Sequence, residues 1–170
     1  EVSLEKARFQ CDVNLFGLAA LTQVVVPHMR NQKAGLIINT SSMGGKIYTP
    51  LGAWYHATKH AVEGFSDCLR IELKEFGINV VVLEPGLIET GFSNGVQNHF
   101  PKESINGPYQ KIVNALLNSS NGAMRGSDPK VISKTVTKII DAKKPKTRYV
   151  VGKLAKPLMF TRKWFGDRIY

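Results

Sequence analysis

The sequence predicts an α/β fold in which a parallel sheet is covered by helices on both faces. Three observations carry that expectation. Short apolar runs at 36–39, 78–83 and 148–151 have the length and β-branched content of strands buried on both faces. Helical periodicity fills the stretches between them, so strands and helices alternate along the chain. No internal repeat or low-complexity tract interrupts that order.

Ser3 is placed to cap a helix carrying Glu5 in its first turn, and Leu4, Ala7, Val13, Phe16, Leu18, Ala20, Leu21 and Val24 continue a broad apolar face toward Pro27. One long helix over about 4–30 follows. Leu36-Ile-Ile-Asn39 then reads as a strand, closed by Thr40-Ser41-Ser42 and a loop at Gly44-Gly45. Ala57, Ala61, Phe65, Leu69 and Leu73 restore the helical period over 53–76, with Gly77 standing as its stop. Ile78–Leu83 reads as a second strand, broken at Glu84-Pro85-Gly86. Residues 87–127 are Gly- and Pro-interrupted, with one helical stretch near Tyr109–Leu117. Asp128-Pro129 starts a further helix, because Asp caps and Pro suits the first helical position; Val131, Val136, Ile139 and Ile140 supply its buried face. Arg148–Val151 closes the pattern as a third strand.

At 170 residues and 43% hydrophobic, the chain is long and apolar enough for one core and too short for several. It divides into residues 1–129 and a segment 130–170 holding the last helix, the last strand and a basic extension of the same domain. Uninterrupted apolar runs fall short of the roughly 20 residues that span a bilayer, since Asn14, Thr22 and Glu84 break the longest candidates. Two cysteines, Cys11 and Cys68, give no disulfide framework, and no signal-peptide pattern opens the chain, so a soluble cytoplasmic protein is expected. The net charge of +10 is confined to 130–170, where 12 Lys and Arg face 2 Asp and Glu.

Tyr55 and Lys59 lie four apart on the second helix, so both side chains reach one ligand from one face. A neighbouring ammonium favours the phenolate and moves a tyrosine toward proton transfer. Spacing alone proves little: 5 Tyr and 16 Lys produce about 0.5 such pairs by chance. Tyr149 and Lys153 are also four apart, but in a strand-like segment that separates them by about 13 Å. What distinguishes Tyr55 is Ser42, just past the end of a parallel strand, where α/β sheets form their binding crevice, and Pro85-Gly86 past the next strand. Ser41 is the competing hydroxyl. Met43, Trp54 and Phe92 flank these residues as candidate substrate-pocket lining. His28, His56, His60 and His99 show no metal-ligand spacing, and no metal is assigned.

With those motifs in place the sequence resembles the short-chain dehydrogenase/reductases in their compact single-domain form. The resemblance runs through Asp-Val-Asn14-Leu-Phe-Gly, Ile-Ile-Asn-Thr-Ser-Ser42, Tyr55-His-Ala-Thr-Lys59 and Glu84-Pro-Gly-Leu-Ile-Glu-Thr90, over about residues 3–95. It implies the C-terminal, catalytic part of a Rossmann-type doubly wound sheet, with about three of its strands. It further implies Tyr55 as general acid/base, Lys59 on the nicotinamide ribose and lowering the Tyr55 pKa, Ser42 on the substrate oxygen and Asn14 holding a water in the proton relay. Pro85, Gly86, Ile88 and Thr90 would border the nicotinamide of NAD or NADP. The loop Gly44-Gly45-Lys46-Ile47-Tyr48 with Trp54 looks most like bacterial oxidoreductases related to retinol and hydroxysteroid dehydrogenases.

One departure stands beside the resemblance. The family's Gly-x-x-x-Gly-x-Gly turn, which lays backbone against the dinucleotide phosphates, has no counterpart here: Gly91/Gly95 and Gly122/Gly126 lack the third glycine and follow no strand. The chain therefore reads as the C-terminal part of a longer enzyme that interconverts an alcohol and a ketone or aldehyde, and as inactive by itself. A homo-oligomer is expected. The rival reading is a non-catalytic protein of the same fold that binds an anionic partner through its basic tail; a sugar-nucleotide epimerase shares the Tyr/Lys pair but not the Ser42 spacing. The stretch Lys143–Lys163, with Tyr149, Phe160 and Trp164 interleaved, reads as a solvated face in preference to a nucleic-acid site, and is compatible with peripheral contact to an anionic membrane.

Overall fold

A computed structural model describes residues 2–91, 107–120 and 125–166. Among the described residues the elements run α1 (Leu4–Cys11), α2 (Gly17–Asn31), β1 (Gly35–Thr40), α3 (Ala53–Leu73), β2 (Ile78–Pro85), α4 (Gln110–Ser120), α5 (Lys130–Ile140), β3 (Arg148–Val151) and α6 (Ala155–Phe165). The three strands are parallel and lie in the order β1-β2-β3, with Ile37 opposite Val80 and Leu83 opposite Tyr149. Among the described residues β1 pairs only with β2.

The strand period of two sorts β2 between two cores. Ile78 and Val80 pack with Ile37, Leu69 and Leu73 beneath α2 and α3, where Val26, Met29, Phe65 and Phe76 complete the layer. Val81 and Leu83 face the other way onto Ile139, with Ile132, Val136 and Tyr149 around it. A parallel sheet covered on both sides is thus the architecture, as its continuous apolar strands require.

Local chemistry accounts for the element ends. The Ser3 hydroxyl accepts from Lys6 N at 3.3 Å and Asp128 Oδ1 accepts from Lys130 N at 2.7 Å, each capping a helix start. After α3 a 3-10 turn, Lys74–Phe76, leads to Gly77 in the left-handed region (φ 70°), where a Cβ would fall 2.4 Å from Lys33 O.

Three features depart from the sequence expectation. β2 does not break at Glu84 but runs through Pro85, which pairs with Val151 at the strand end, where the missing N–H costs no ladder bond. A helix, α6, follows β3 where only a basic extension was expected; its Pro157 lies in the first turn, where a proline is tolerated. The helix over 4–31 contains a π-helical turn, Asp12–Phe16, in which Gly17 N–H bonds Asp12 O. Taken whole, Leu4–Asn31 is 28 residues long with a windowed mean hydropathy of 1.4, enough by length and composition to cross a membrane. The count of uninterrupted apolar runs missed this because Asn14 and Thr22 punctuate a helix that is apolar on more than one side. One side meets α3 and the sheet through Ala7, Val26 and Met29. The other leaves Phe9, Val13, Phe16, Leu21 and Val24 exposed.

Candidate active site

The C-terminal ends of β1 and β2 open a crevice walled by the first turns of α3. Ser41 and Ser42 leave β1 together and part at once. Ser41 is buried, its N–H on Leu83 O at 2.9 Å and its hydroxyl toward Lys59 O at 3.4 Å. Ser42 is half-buried, and its hydroxyl lies close enough to the Tyr55 phenol to lower the phenol's pKa. It also accepts from Gly44 N at 3.0 Å and approaches Pro85 O at 3.5 Å. Of the two serines, Ser42 is the one beside the phenol.

Tyr55 and Lys59 occupy one face of α3, with the Lys59 ammonium 5.9 Å from the Tyr55 ring centre and donating to Thr40 O at 3.1 Å. Burial pushes the Tyr55 phenol above its ordinary value, and the nearby Ser42 hydroxyl offsets part of that rise. Burial also lowers Lys59. The lowering of Tyr55 by Lys59 expected from the sequence does not set the direction of the shift: burial of the phenol does, while the Lys59 ammonium donates to the β1 carbonyl of Thr40.

Asn14 sits in the π turn. Its amide donates to Thr58 Oγ1 at 3.1 Å, and Thr58 donates to Tyr55 O at 2.8 Å. A π turn shifts helix register by about one residue, and the extra residue faces this amide toward α3. Thr58 was not singled out from the sequence; its signal is a hydroxyl one turn along α3 from the tyrosine.

The loop after Ser42 is held by His56, buried on α3. Its Nε2 accepts from Thr49 N at 3.0 Å, which leaves Nδ1–H to donate to Gly44 O at 2.8 Å. Gly44 passes so close that a Cβ there would lie 3.0 Å from Tyr55 Cε1 and from His56 Nδ1. Met43 is half-buried in the same turn, beside Ser42.

The remaining expected site residues divide. Pro85 borders the crevice through its carbonyl; Gly86 N–H bonds Val151 O at 2.7 Å, which ties the segment to the end of β3, and Ile88 bridges to Ser127. Thr90 is exposed at the end of that segment. Trp54 lies elsewhere: it lines a groove with Leu4, Ala7, Arg8, Cys11, Asp12 and Phe16 on the α1 side of α3, not the wall beside Ser42. Its position next to Tyr55 in sequence turns it about 100° around the helix. Phe92 and His99 lie outside the described residues. The second Tyr/Lys pair is structural, with Tyr149 packed near Ile139 and its phenol oxygen accepting from Lys146 N at 3.2 Å.

The crevice thus brings a hydroxyl donor, a phenol and a cation to one point at the strand ends. Lys59 has N–H groups beyond the one on Thr40 O, a donor set suited to a ribose diol. Residues 1–100 match the family model for short chain dehydrogenase. The chain is 32% identical over 167 residues to the 3-ketodihydrosphingosine reductase of Bacteroides thetaiotaomicron, covering 97% of this chain and 62% of that protein. Among solved structures it is similar to a short-chain dehydrogenase from Streptomyces avermitilis (TM-score 0.77, 26% identity, covering 96% of this chain and 59% of that one). It is also similar to a 3-oxoacyl-[acyl-carrier protein] reductase with bound NAD from Brucella melitensis (TM-score 0.65, 28% identity, covering 89% and 52%). The chain therefore spans half to two thirds of the length of these proteins. The matched model over residues 1–100 and this arrangement of Ser42, Tyr55 and Lys59 make the chain a member of the short chain dehydrogenase family.

Proposed function

We propose that the protein is an NAD- or NADP-dependent oxidoreductase that interconverts an alcohol and a ketone or aldehyde, with Tyr55 as its general acid/base. The observation that carries this is Ser42, at the end of β1, in a turn that packs against the Tyr55 ring, with Lys59 one helical turn further along the same face of α3. The ketone named in the Bacteroides thetaiotaomicron reductase supports a carbonyl substrate. The NAD in the Brucella melitensis reductase supports the dinucleotide.

When bound, the nicotinamide supplies or accepts the hydride. Tyr55 gives its proton to the carbonyl oxygen in reduction and takes it back from the alcohol in oxidation. A phenol whose pKa burial has raised keeps its proton near neutrality, which suits the reducing direction. Ser42 donates to the same oxygen as negative charge develops there. Lys59 holds the ribose and favours the phenolate once the proton has left. Asn14, through Thr58, fixes the first turn of α3 against the π turn, and a water on Asn14 would pass the proton onward.

A cytoplasmic location is part of this reading, supported by Cys11 and Cys68, which form no disulfide and suit a reducing compartment. Tyr55→Phe in the protein that carries this chain should keep the fold and cofactor affinity while cutting turnover about 10²-fold or more. Tyr149→Phe should leave turnover unchanged. A normal kcat in Tyr55→Phe would reject the role.

A further inference from the structure

Six charged side chains meet behind the Ser42 turn. Glu63, on α3 one turn past Lys59, accepts from Arg148 Nε and Nη2 at 3.2 and 3.1 Å and pairs with Lys46 Nζ at 3.1 Å. Asp67, one turn further, accepts from Arg148 Nη2 at 2.6 Å and pairs with Arg70. Glu84 points inward from β2, fully buried at 0% exposure. Arg148 Nε is 3.3 Å from Glu84 Oε1, but its hydrogen is directed to Glu63. Among the described residues both Glu84 oxygens and Glu63 Oε1 find no hydrogen-bond donor.

A buried carboxylate without a donor is costly. A proton on Glu84 donated to Glu63 satisfies orphaned oxygens on both residues at once. Burial first, then the charge of Glu63, push Glu84 up to about 7, against the pull of Arg148 and Lys46.

We propose that Glu63 and Glu84 share one proton and act together as positioning residues, locking the Ser42 turn, β3 and the end of β2 into one wall of the crevice. The idea rests on Ser42 and Tyr55 being the reacting pair. Glu63 Cγ lies 3.0 Å from where a Cβ on Gly45 would fall, so the turn is seated directly on this side chain. Lys46, the next residue, is pinned by its ion pair to Glu63. Glu84 precedes Pro85, whose carbonyl lies against the Ser42 hydroxyl. The acid pair therefore grips both ends of the wall on which Ser42 stands. Loss of the proton leaves two adjacent anions whose repulsion acts on both.

The sign of the pH effect follows from linkage. Glu84 is raised from an ordinary value of 4.5 to about 7 in the fold, so between those values the folded protein holds a proton that the unfolded chain has lost. Its contribution is fully present below 4.5, falls as pH rises toward 7, and is constant above.

The test is Glu84→Gln, which keeps the shape and carries a permanent N–H donor, made in the protein that carries this chain. Thermal unfolding from pH 5 to 8 should show a downward slope in the unmodified protein that is flattened in Glu84→Gln. The kcat of the unmodified enzyme should fall over that range with cofactor KM unchanged, whereas kcat of Glu84→Gln should be independent of pH there. Parallel unfolding profiles overturn the shared proton, and superimposable kcat profiles overturn the positioning role. If Glu84→Gln does not fold, infrared titration of the unmodified protein decides: a protonated-carboxyl band that disappears near pH 7 supports the pair, and its absence at pH 5 overturns it. Tyr55→Phe should retain the pH slope of unfolding, so failure of the catalytic reading and failure of the acid pair are separately visible.

Discussion

At the scale of single residues, the site depends on how closely the Ser42 turn approaches Tyr55. Gly44 has no side chain at the point where a Cβ would stand 3.0 Å from both the phenol ring and the His56 imidazole. Contacts that tight require the neighbours to yield by a few tenths of an ångström, and the neighbour here is the reacting side chain. Gly44→Ala should therefore lower kcat by about tenfold, since small misplacements of reacting groups are costly, while the unfolding temperature changes little. A variant with unchanged kcat would show that the turn has slack which its hydrogen bonds do not suggest. The same view explains His56, whose two ring nitrogens clamp both ends of the loop. As an isolated histidine it carries no sequence signal; its role appears only when Thr49 and Gly44 fold back onto α3.

At the scale of elements, α1, α2 and α3 present more apolar surface than the sheet covers. Phe16, Leu21 and Val24 are exposed by 61–71%, and Trp54 on α3 lines a groove with Phe16. Exposed apolar area of that extent marks an interface, and a helix pair displayed by every copy is suited to self-complementary, two-fold packing. Sedimentation of the protein that carries this chain should show oligomers at micromolar concentration, and Leu21→Glu should shift them toward monomer; strict monomers without the substitution would remove the interface. These elements also show what the sequence made legible. Continuous apolar runs located β1 and β3 to within a residue, and the 3.6 period placed the start of α3 at Ala53 and of α5 beside Asp128-Pro129, while both helices end three to five residues before the sequence pattern does. Ser42, Tyr55 and Lys59 were legible because strand end and helix face bring them together. The π turn at Asp12–Phe16 was not, since one extra residue leaves the pattern helical. Nor was α6, whose start at Leu154 adopts a left-handed conformation (φ 64°) that no local propensity favours. The Glu63–Arg148 contact escaped for a third reason: it joins residues 85 apart in sequence, and nothing in the spacing of either predicts the other.

At the scale of the whole molecule, the sheet is open on one side and the dinucleotide crevice is provided for at one end. β1 pairs with β2 alone among the described residues, so its other edge presents unpaired backbone groups. The same chain supplies Asn14, Tyr55, Lys59 and Pro85 at the nicotinamide end of the proposed site, and no Gly-x-x-x-Gly-x-Gly turn for the phosphates. Phosphate recognition at a helix N-terminus rests on charge-assisted backbone hydrogen bonds, each worth about 1.5–3 kcal/mol. Two such contacts missing weaken binding by roughly 10²–10⁴-fold. Residues 1–170 alone should therefore bind NAD or NADP negligibly at micromolar concentration and tend to associate through the β1 edge. A longer protein in which a glycine-rich strand–turn–helix precedes this chain should be monodisperse and bind the dinucleotide. Calorimetric titration of both forms compares the two directly. Micromolar binding by residues 1–170 alone would mean that the strand ends and α3 suffice to hold the cofactor, and the phosphates would then have to find their donors among residues to which no such role is assigned.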